Sequence, residues 1–406
     1  MPRLHVAVLD GELPFPLTSG KRIRTFNLLT QLARTHRITY ISHRNPDDEE
    51  LRIAARAFRD HDILPIVVEH AIPPKTGVGL YGRLFKNLFS PLPYSVTSHA
   101  SKEFRAAVDR LAKEDPPDLW HCEWTPYAHA MRRRQSPWVV MAHNVESLIW
   151  QRYAENETNP LKNWFLHKQW KRFEQFEAWA YSTATRAIAV SREDADRMEK
   201  QFGAKDVAVV DNGVDTSLFK PNEVGKRDPS KLLFLGSLDW RPNQDAVRML
   251  LDAILPRVQA LEPKATLAIV GRKPTAALKA ELANRPGVEL HADVPDVRPY
   301  LHAAGMLVVP LRIGGGSRLK ILEALSAGTP VITTTIGVEG LRLRNGEHCT
   351  VADGAEMFAA AVVDAIRLPM SVEVQAAVGR ARVLAEYDWS GLATKLDDVW
   401  QAAAAR

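Results

Sequence analysis

The segment Pro310–Ile332, PLRIGGGSRLKILEALSAGTPVI, decides how this chain of 406 residues is interpreted. An apolar strand ends at its first residue, three glycines follow, and Ser317 is positioned to cap a helix that Gly328 ends. Glycines let a ligand approach the main chain, and the amino end of a helix attracts anions. With the cations of Arg318 and Lys320 beside it, the segment predicts a site for a phosphate-bearing ligand.

Lys320 and Glu323 are three residues apart, so the predicted helix places them on one face, while Leu322 and Leu325 point toward the core. Two interpretations of the charged pair stay open. It is a surface pair that contributes about 0.2–0.5 kcal/mol, or it binds ligand, with Lys320 on a phosphate and Glu323 accepting hydrogen bonds from ribose hydroxyls. The family resemblance described below favours the second interpretation.

Short apolar runs alternate with helical patterns on both sides of this segment. The alternation implies parallel sheets covered on both faces, and so an α/β protein with two doubly wound domains. The predicted strands are Leu4–Leu9, Arg37–Ile41, Ile63–Val68, Asp118–His121, Trp138–His143, Arg186–Val190, Val207–Val210, Leu232–Gly236, Thr266–Gly271, Val288–Ala292, Met306–Leu311 and Pro330–Thr334, with helices over Gly20–Leu32 and Asn243–Leu261 among others.

The stretch Pro221–Lys231 is polar and rich in residues that break helices and strands, and it is predicted to link the domains. We therefore expect an N-terminal domain over residues 1–220 and a C-terminal domain over residues 221–388. A final helix over residues 389–406 is expected to pack back onto the first domain.

Composition narrows the class of protein. Hydrophobic residues make up 46% and charged residues 25%, which is typical of a globular chain, and the length suits two domains. No apolar run reaches the roughly 18 residues that span a bilayer, and the N-terminus resembles a buried strand rather than a signal peptide. The two cysteines match no metal or redox spacing. We expect a cytoplasmic protein.

The net charge of +5 suits an anionic ligand or an anionic membrane surface, and no stretch of the sequence suggests a nucleic-acid partner. The segments Leu80–Tyr94 and Asn159–Ser182 are both aromatic and basic. Each is open to two interpretations: a stripe of core-packing side chains, or a face that meets a membrane or a lipid-linked acceptor. A peripheral position on the inner face of the membrane would follow from the second.

Several classes of enzyme lack their motifs here. No Asp-x-Asp stands at a strand end to bind a divalent metal, no zinc spacing occurs, and no Walker A motif is present. The first βα turn reads DGELPFPLTSG and lacks the dinucleotide fingerprint. We therefore expect neither a metal nor a cofactor.

The sequence around Glu323 resembles the donor site of the family-4 glycosyltransferases, which have the GT-B fold: two Rossmann-like domains facing a central cleft. Their pattern is a Glu, seven residues, and a second Glu followed by Ala. Glu323–Pro330, EALSAGTP, matches the second half, whereas Gly315 stands where the first Glu is expected. The resemblance extends to Asp211–Asp215, like the family's inter-domain turn, and to Phe234–Leu238 and Ala142–Asn144.

A second departure concerns the cations that hold the donor diphosphate in this family. Ser237 stands where an Arg is typical, and Pro242 stands near the place of a Lys. A departing diphosphate still needs positive charge near it. We infer that Arg318 and Lys320 replace the missing pair, as in a branch with a Gly-Gly-Gly-x-Arg-x-Lys donor loop, and Arg241 is an additional candidate.

The resemblance also implies roles in the first domain. His143 would lie against the donor sugar, oriented by Asn144 or Glu146, and Glu123 at a neighbouring strand end could contact the acceptor. Ser19 and Gly20 would form a loop where a backbone N–H meets the diphosphate or the acceptor. For Arg24, and for Arg22 beside it, two interpretations stay open: contact with an anionic acceptor, or a solvated helix face.

These inferences give one set of candidate residues. The catalytic candidates are His143, Arg318 and Lys320. The donor-binding candidates are Gly236, Ser237, Gly271, Arg272, Gly314, Gly315, Gly316, Ser317, Leu319 and Glu323. The candidates of the acceptor or diphosphate loop are Ser19, Gly20 and Arg24.

The resemblance implies a retaining, metal-independent hexosyltransferase that moves a sugar from a nucleotide diphosphate donor to a hydroxyl of a sugar or lipid-linked acceptor, in polysaccharide or glycolipid assembly. Two alternatives stay open: an inactive sugar-nucleotide-binding subunit, which the missing Glu and Arg/Lys pair would explain, and a sugar-nucleotide 2-epimerase. The nucleotide base, the sugar and the acceptor are not determined by the sequence.

Overall fold

The computed structural model describes residues 2–45, 47–73, 77–155, 157–222, 227–283, 285–313 and 318–406. The donor-loop candidates Gly314, Gly315, Gly316 and Ser317 lie outside the described residues. The chain folds into two units, Met1–Asp211 with Leu392–Arg406, and Asn212–Gly391. The boundary between them falls in the turn Asp211–Asp215, and the last helix belongs to the first unit.

The first unit is built on a seven-stranded parallel sheet in the order β3-β2-β1-β4-β5-β6-β7. Its strands are β1 (His5–Asp10), β2 (Arg37–Arg44), β3 (Ile63–Ala71), β4 (Leu119–Cys122), β5 (Trp138–Ala142), β6 (Arg186–Ala189) and β7 (Ala208–Val209). Its helices are α1 (Gly20–Leu32), α2 (Asp48–Arg59), α3 (Val78–Asn87), α4 (Tyr94–His99), α5 (Lys102–Glu114), a 3₁₀ helix (Thr125–Met131), α6 (Glu146–Glu155), α7 (Pro160–Thr183) and α8 (Arg192–Phe202).

The second unit has a six-stranded parallel sheet in the order β10-β9-β8-β11-β12-β13. Its strands are β8 (Asp228–Leu235), β9 (Thr266–Gly271), β10 (Val288–Ala292), β11 (Ala304–Val309), β12 (Val331–Thr333) and β13 (Thr350–Val351). Its helices are α9 (Arg241–Met249), a π turn (Leu250–Ile254), α10 (Leu255–Leu261), α11 (Ala276–Leu282), α12 (Arg298–Ala303), α13 (Leu319–Ser326), α14 (Thr335–Val338), α15 (Ala355–Arg367) and α16 (Pro369–Glu386). The last helix of the chain is α17 (Trp389–Ala404).

Both sheets reverse their strand order at one place. In the first unit the reversal lies between β1 and β4, and in the second it lies between β8 and β11. Ligands of open α/β sheets bind outside the carboxyl ends of the strands at such a reversal. The loops after these four strands are therefore the places where a site is expected.

Most predicted elements are present, and the exceptions have local causes. Helix α1 and strands β9 and β10 have the predicted bounds, which confirms those predictions. Strand β8 begins at Asp228, inside the stretch predicted as linker. Its first residues are polar, so the apolar pattern of the sequence did not indicate that they pair with β11. The predicted helix Asn243–Leu261 begins at Arg241 and contains the π turn. The two-residue strand β13 was not predicted.

The aromatic helix α7 has two different halves. Phe173, Phe176 and Tyr181 in its C-terminal half are buried in the core of the first unit, so the core-packing interpretation is confirmed there. Leu161 and Trp164 in its N-terminal half are exposed. None of the helices in the described ranges is both long and apolar enough to cross a bilayer.

Candidate active site

Two glycines let the loops of the second unit come close together at the strand reversal. A Cβ atom on Gly236, just after β8, would lie 2.6 Å from Nδ2 of Asn243 and 2.9 Å from Nζ of Lys320. A Cβ atom on Gly271, at the end of β9, would lie 1.9 Å from the carbonyl oxygen of Gly236. The backbone contact means that residue 271 has to be glycine, whereas a Cβ on residue 236 would require the side chains of Asn243 and Lys320 to move. The cause is close approach, since neither residue has a positive φ.

Lys320 lies on helix α13 and points to the same place. Its ammonium donates to Oδ1 of Asn243 at 3.0 Å and lies 4.7 Å from the ring centroid of Phe234 on β8, a cation–π distance. Burial away from water lowers the pKa of Lys320 to about 7, although Glu323 acts in the opposite direction. A lysine buried in this way is stabilised as a cation by a nearby negative charge.

Glu323 lies one turn further along α13. Burial raises the pKa of its carboxyl to about 7, while the charge of Lys320 works against that rise. Leu322 and Leu325 are fully buried in the core of the unit, as predicted from the helix pattern. Lys320 and Glu323 therefore interact electrostatically, and desolvation disfavours the charge of both.

Arg318 has different surroundings from Lys320. It occupies the residue before α13, where the helix is capped without a side-chain hydrogen bond. The capping role predicted for Ser317 falls outside the described residues. The guanidinium of Arg318 is only 8% exposed, donates to the carbonyl of Ile336 at 2.9 Å and lies 3.3 Å from Oε2 of Glu339. These contacts tie the start of α13 to the segment around α14.

Asn243 organises the loop after β8, a role that the sequence analysis missed. Its Nδ2 donates to the carbonyl of Ser237 at 2.9 Å, while its Oδ1 accepts from Lys320. The main-chain N–H of Leu238 donates to the carbonyl of Arg272 at 2.8 Å. The sequence signal for this role is the position of Asn243 directly after Pro242, in the first turn of the predicted helix.

The first unit gathers three polar residues at its strand reversal and on the next strand. Asp10 ends β1, Glu123 follows β4, and His143 follows β5. Nε2 of His143 lies 3.2 Å from Oε1 of Glu123, and Thr25 on α1 donates to the same oxygen at 2.6 Å. Lys21, also on α1, forms an ion pair with Asp10.

Glu123 is buried, with two imidazoles beside its carboxylate. Its Oε2 lies 2.8 Å from Nε2 of His121. Burial opposes ionisation, yet the contacts with His121 and His143 hold the pKa of Glu123 well below its usual range. Burial lowers the pKa of His143, and Glu123 acts in the opposite direction. Glu146, expected to orient His143, instead accepts a hydrogen bond from the indole of Trp124 at 2.8 Å.

The start of α1 matches its predicted geometry, but Arg24 does not lie where either interpretation placed it. Ser19 caps the helix and Gly20 is its first residue. Arg24 is 1% exposed and donates to the main-chain carbonyls of Val210 and Asp211. It is therefore neither on a solvated face nor directed to an acceptor, and it stabilises the end of the first unit.

No group of three or more His, Cys, Asp or Glu side chains could hold a metal ion within the described ranges. Cys122 and Cys349 are free and buried. Each unit thus has its own group of candidate residues: glycine-lined loops and half-buried charges in the second unit, and a buried carboxylate with two imidazoles in the first.

Two family models match this chain. The one described as "Glycosyltransferase Family 4" matches residues 18–218, and the one described as "Glycosyl transferases group 1" matches residues 229–367. Together they span most of both units. The chain belongs to these glycosyltransferases and has the GT-B fold.

Curated relatives lie in the same group. A glycogen synthase of Mycobacterium tuberculosis is 28% identical over 56% of this chain and 56% of its own length. A GDP-mannose-dependent α-(1-6)-phosphatidylinositol monomannoside mannosyltransferase of that organism is 30% identical over 52% of this chain and 60% of its own length. The alignments thus span little more than half of these relatives.

Solved structures with the same fold align over nearly the whole chain. A sucrose-phosphate synthase of Thermosynechococcus elongatus has a TM-score of 0.73 at 17% identity and covers 98% of each chain. The Anabaena protein HepE, in complex with UDP and glucose, has a TM-score of 0.68 at 13% identity and covers 98% of this chain and 100% of its own. At these identities the likeness concerns the fold alone.

Proposed function

We propose that this protein is a retaining, metal-independent glycosyltransferase, which moves a hexose from a nucleoside diphosphate to an acceptor hydroxyl in polysaccharide or glycolipid assembly. One observation carries the proposal: Lys320 is held between Asn243 and Phe234, at the strand reversal of the second unit, with a pKa lowered by burial to about 7. A diphosphate placed there would offset the cost of the buried charge.

Each donor contact has a physical basis. Lys320 binds the diphosphate, and Glu323 on the same helix accepts hydrogen bonds from the ribose hydroxyls. Gly236 and Gly271 let the loops that carry Ser237 and Arg272 come close together, and the nucleotide is proposed to bind beside these two residues. The glycines and serine at residues 314–317, with Leu319, complete the proposed donor loop.

The proposed chemistry relies on stabilising the leaving group. Negative charge builds on the diphosphate as the glycosidic bond breaks, and a positioned cation stabilises that charge. Because residue 315 is glycine, we propose a front-face reaction, in which a phosphate oxygen takes the proton of the acceptor hydroxyl within hydrogen-bond reach. His143 contacts the sugar, and Arg318 supports Lys320 by fixing the start of α13.

Turnover tests this proposal directly. Purified protein is incubated with a panel of UDP-, GDP-, ADP- and TDP-sugars, with and without added glycan or glycolipid acceptors, and release of the nucleoside diphosphate is measured. We expect one donor to be consumed, with retention at the anomeric carbon. Tight nucleotide binding without any turnover would favour the alternative of an inactive sugar-nucleotide-binding subunit, and epimerised donor would favour the 2-epimerase.

We expect excess chelator to leave this turnover unchanged, since Lys320 supplies the counter-charge that a metal would otherwise provide. The measurement is the initial rate with EDTA, with EDTA plus excess magnesium, and with EDTA plus excess manganese. A rate that disappears with chelator and returns with either ion would contradict metal independence while leaving the transferase class intact.

The proposed acceptor is a sugar or a lipid-linked sugar, and we propose a peripheral contact with the cytoplasmic face of the membrane. The basis is a set of exposed apolar side chains of the first unit that we call the aromatic face. Its members are more than half exposed and lie on α3, just after it, and on α7: Tyr81, Phe85, Phe89, Leu161 and Trp164. Arg172 on α7 joins the two elements by donating to the carbonyls of Asn87 and Leu88 at 2.8 Å.

Lysines lie on the same helices as the aromatic face. Lys86 on α3 and Lys171 on α7 are exposed, with Lys171 paired to Glu174, and the ammonium of Lys168 lies 5.3 Å from the ring centroid of Trp164. Apolar side chains with flanking lysines are the composition of a surface that binds anionic bilayers.

Phe89→Ser is expected to weaken binding to vesicles that contain phosphatidylglycerol by about tenfold or more, because a phenylalanine buried in the bilayer contributes about 1.5–3 kcal/mol. Flotation or sedimentation of vesicles measures the effect, and raised salt should weaken the wild-type interaction. Ile53→Ser, at an exposed apolar residue of α2, is the matched control. Equal binding by all three proteins would mean that the aromatic face is not a membrane contact.

A further inference from the structure

A buried series of polar side chains connects the last helix of the chain to His143. The indole Nε1 of Trp400 on α17 donates to Nδ1 of His121 at 2.8 Å. Nε2 of His121 lies 2.8 Å from Oε2 of Glu123, and Oε1 of Glu123 lies 3.2 Å from Nε2 of His143. The hydroxyl of Thr25 also donates a hydrogen bond to Oε1 of Glu123. We call Trp400, His121 and Glu123 the relay; all of its members are buried.

The chemistry of Trp400 fixes the protonation of His121. An indole N–H donates and never accepts, so Nδ1 of His121 must carry its lone pair. A proton on that nitrogen would set one N–H against another. His121 is therefore neutral, with its single proton on Nε2, which faces the carboxylate of Glu123.

A neutral His121 leaves the charge of Glu123 to act on its other neighbour. Neither imidazole nitrogen is aligned for a straight hydrogen bond to the carboxylate, so the contacts are mainly electrostatic. At 3.2 Å from a carboxylate oxygen, Nε2 of His143 is favoured as the protonated nitrogen. Nδ1 of His143 then carries a lone pair, and nothing within the described ranges donates a hydrogen bond to it.

We infer that the residues of the relay are positioning residues, which set His143 as a neutral imidazole whose Nδ1 accepts a hydrogen bond from a hydroxyl of a sugar substrate. The inference rests on the proposed function and extends it to Trp400, His121 and Glu123. Because Nδ1 of His143 accepts a hydrogen bond, it would favour a sugar with a hydroxyl group at this position. An analogue without that hydroxyl would leave this nitrogen without a hydrogen-bond partner.

Charged groups around His143 determine the sign of the expected pH effect. Lys21 and Arg24 on α1 lower the pKa of His143 along with burial, and Glu123 raises it. Removing the charge of Glu123 leaves only influences that lower this pKa. If neutral His143 is the active form, the rate falls on the acidic side of its pKa, so this limb of the pH profile moves to lower pH in Glu123→Gln.

The protonation of His121 can be measured without any turnover. Side-chain ¹⁵N spectra of histidine-labelled protein distinguish the two neutral tautomers and the cation, and His121→Gln assigns the signal. We expect His121 in the wild type to show a proton on Nε2 and a lone pair on Nδ1 near neutral pH. In Trp400→Phe, which keeps an aromatic ring, Nδ1 becomes free to take a proton, so the signal of the wild-type tautomer should weaken or disappear. A wild-type His121 that is protonated on Nδ1 overturns the inference.

Kinetics supply the second readout. Glu123→Gln should lower kcat about 10- to 100-fold, the usual cost of losing the partner that orients a histidine, with little change in KM and the shift in pH profile described above. Glu123→Asp should restore part of the loss. Trp400→Phe should lower kcat about three- to tenfold, as for one hydrogen bond. Trp389→Phe, a buried tryptophan of the same helix, should keep wild-type kcat.

The outcomes separate the relay from a purely structural role. If Glu123→Gln keeps the wild-type kcat and pH profile, or if Trp389→Phe and Trp400→Phe lose activity equally with an unchanged His121 tautomer, the relay does not act on His143. If the wild type turns over no donor, the proposed function fails, and the spectra still decide whether Trp400 sets the tautomer of His121.

Discussion

Lys320→Met is expected to lower kcat about 100- to 1,000-fold while leaving the protein at least as stable as the wild type. Removing one well-placed group that stabilises developing negative charge costs about 2.7–4 kcal/mol in the transition state. The KM for the donor should change less, because the diphosphate gains charge only as the sugar departs. Methionine keeps most of the side-chain volume and removes the ammonium.

The expected effect on folding stability follows from the pKa of Lys320. Burial lowers the pKa of Lys320 to about 7, below the value of about 10.4 for an unfolded lysine. Folding thus disfavours the ammonium, and the wild type should become more stable as pH rises between those two values. In Lys320→Met this dependence disappears. Thermal melts across that pH range, together with steady-state kinetics, measure both halves of the prediction.

Three variants make the Lys320 prediction specific. Lys320→Arg keeps a charge and should keep more activity than Lys320→Met. Lys279→Met removes an exposed lysine of α11 and should resemble the wild type in rate and melting temperature. Arg318→Ala should lower the melting temperature as well as the rate, since its guanidinium contacts Ile336 and Glu339. Near-wild-type turnover in Lys320→Met would leave the diphosphate without its proposed cation.

Glu323→Gln is expected to weaken binding of the nucleoside diphosphate by about 1.5–3 kcal/mol, the range for hydrogen bonds to a charged group. The loss should grow from pH 6 to pH 8, because burial raises the pKa of Glu323 to about 7 and its carboxylate forms across that range. The variant should fold normally, since the amide has the same shape as the carboxyl group and removes a desolvated charge. Calorimetric titration with the nucleotide chosen by the turnover panel measures the change.

A ligand without the ribose diol provides the control for Glu323. The 2′,3′-dideoxy nucleoside diphosphate should bind the wild type more weakly than the normal nucleotide, and the same substitution should cost much less in Glu323→Gln. Such non-additivity is the mark of a direct contact. If the two ligands differ equally in both proteins, Glu323 does not bind the ribose, and its charge serves the electrostatics of Lys320 alone.

Sequence patterns were sufficient for the architecture and for one half of the candidate site. The strand, glycine run and helix around residues 310–332 placed Lys320 and Glu323 at the strand reversal of the second unit, because βα alternation fixes which loops meet there. The need for glycine at Gly271 arises from the distance between separate loops, which no local pattern shows.

The other half depended on contacts between distant parts of the chain. Trp400 and His121 are 279 residues apart, and neither belongs to a motif. Arg24 stands in a typical amphipathic helix start, yet its guanidinium meets carbonyls 186 and 187 residues away. A charged side chain in a sequence shows only that a partner is needed; burial and the fold decide which partner it finds.

The return of α17 to the first unit has a consequence for synthesis. Residues 212–391 form the second unit and interrupt the first, which is completed only by residues 392–406. A ribosome therefore delivers all of the second unit before it delivers Trp400, and domains generally fold as they emerge. Until then Nδ1 of His121 lacks its indole partner, and the imidazole is free to take either tautomer. The hydrogen bond between Trp400 and His121 can thus form only after the whole second unit has been made.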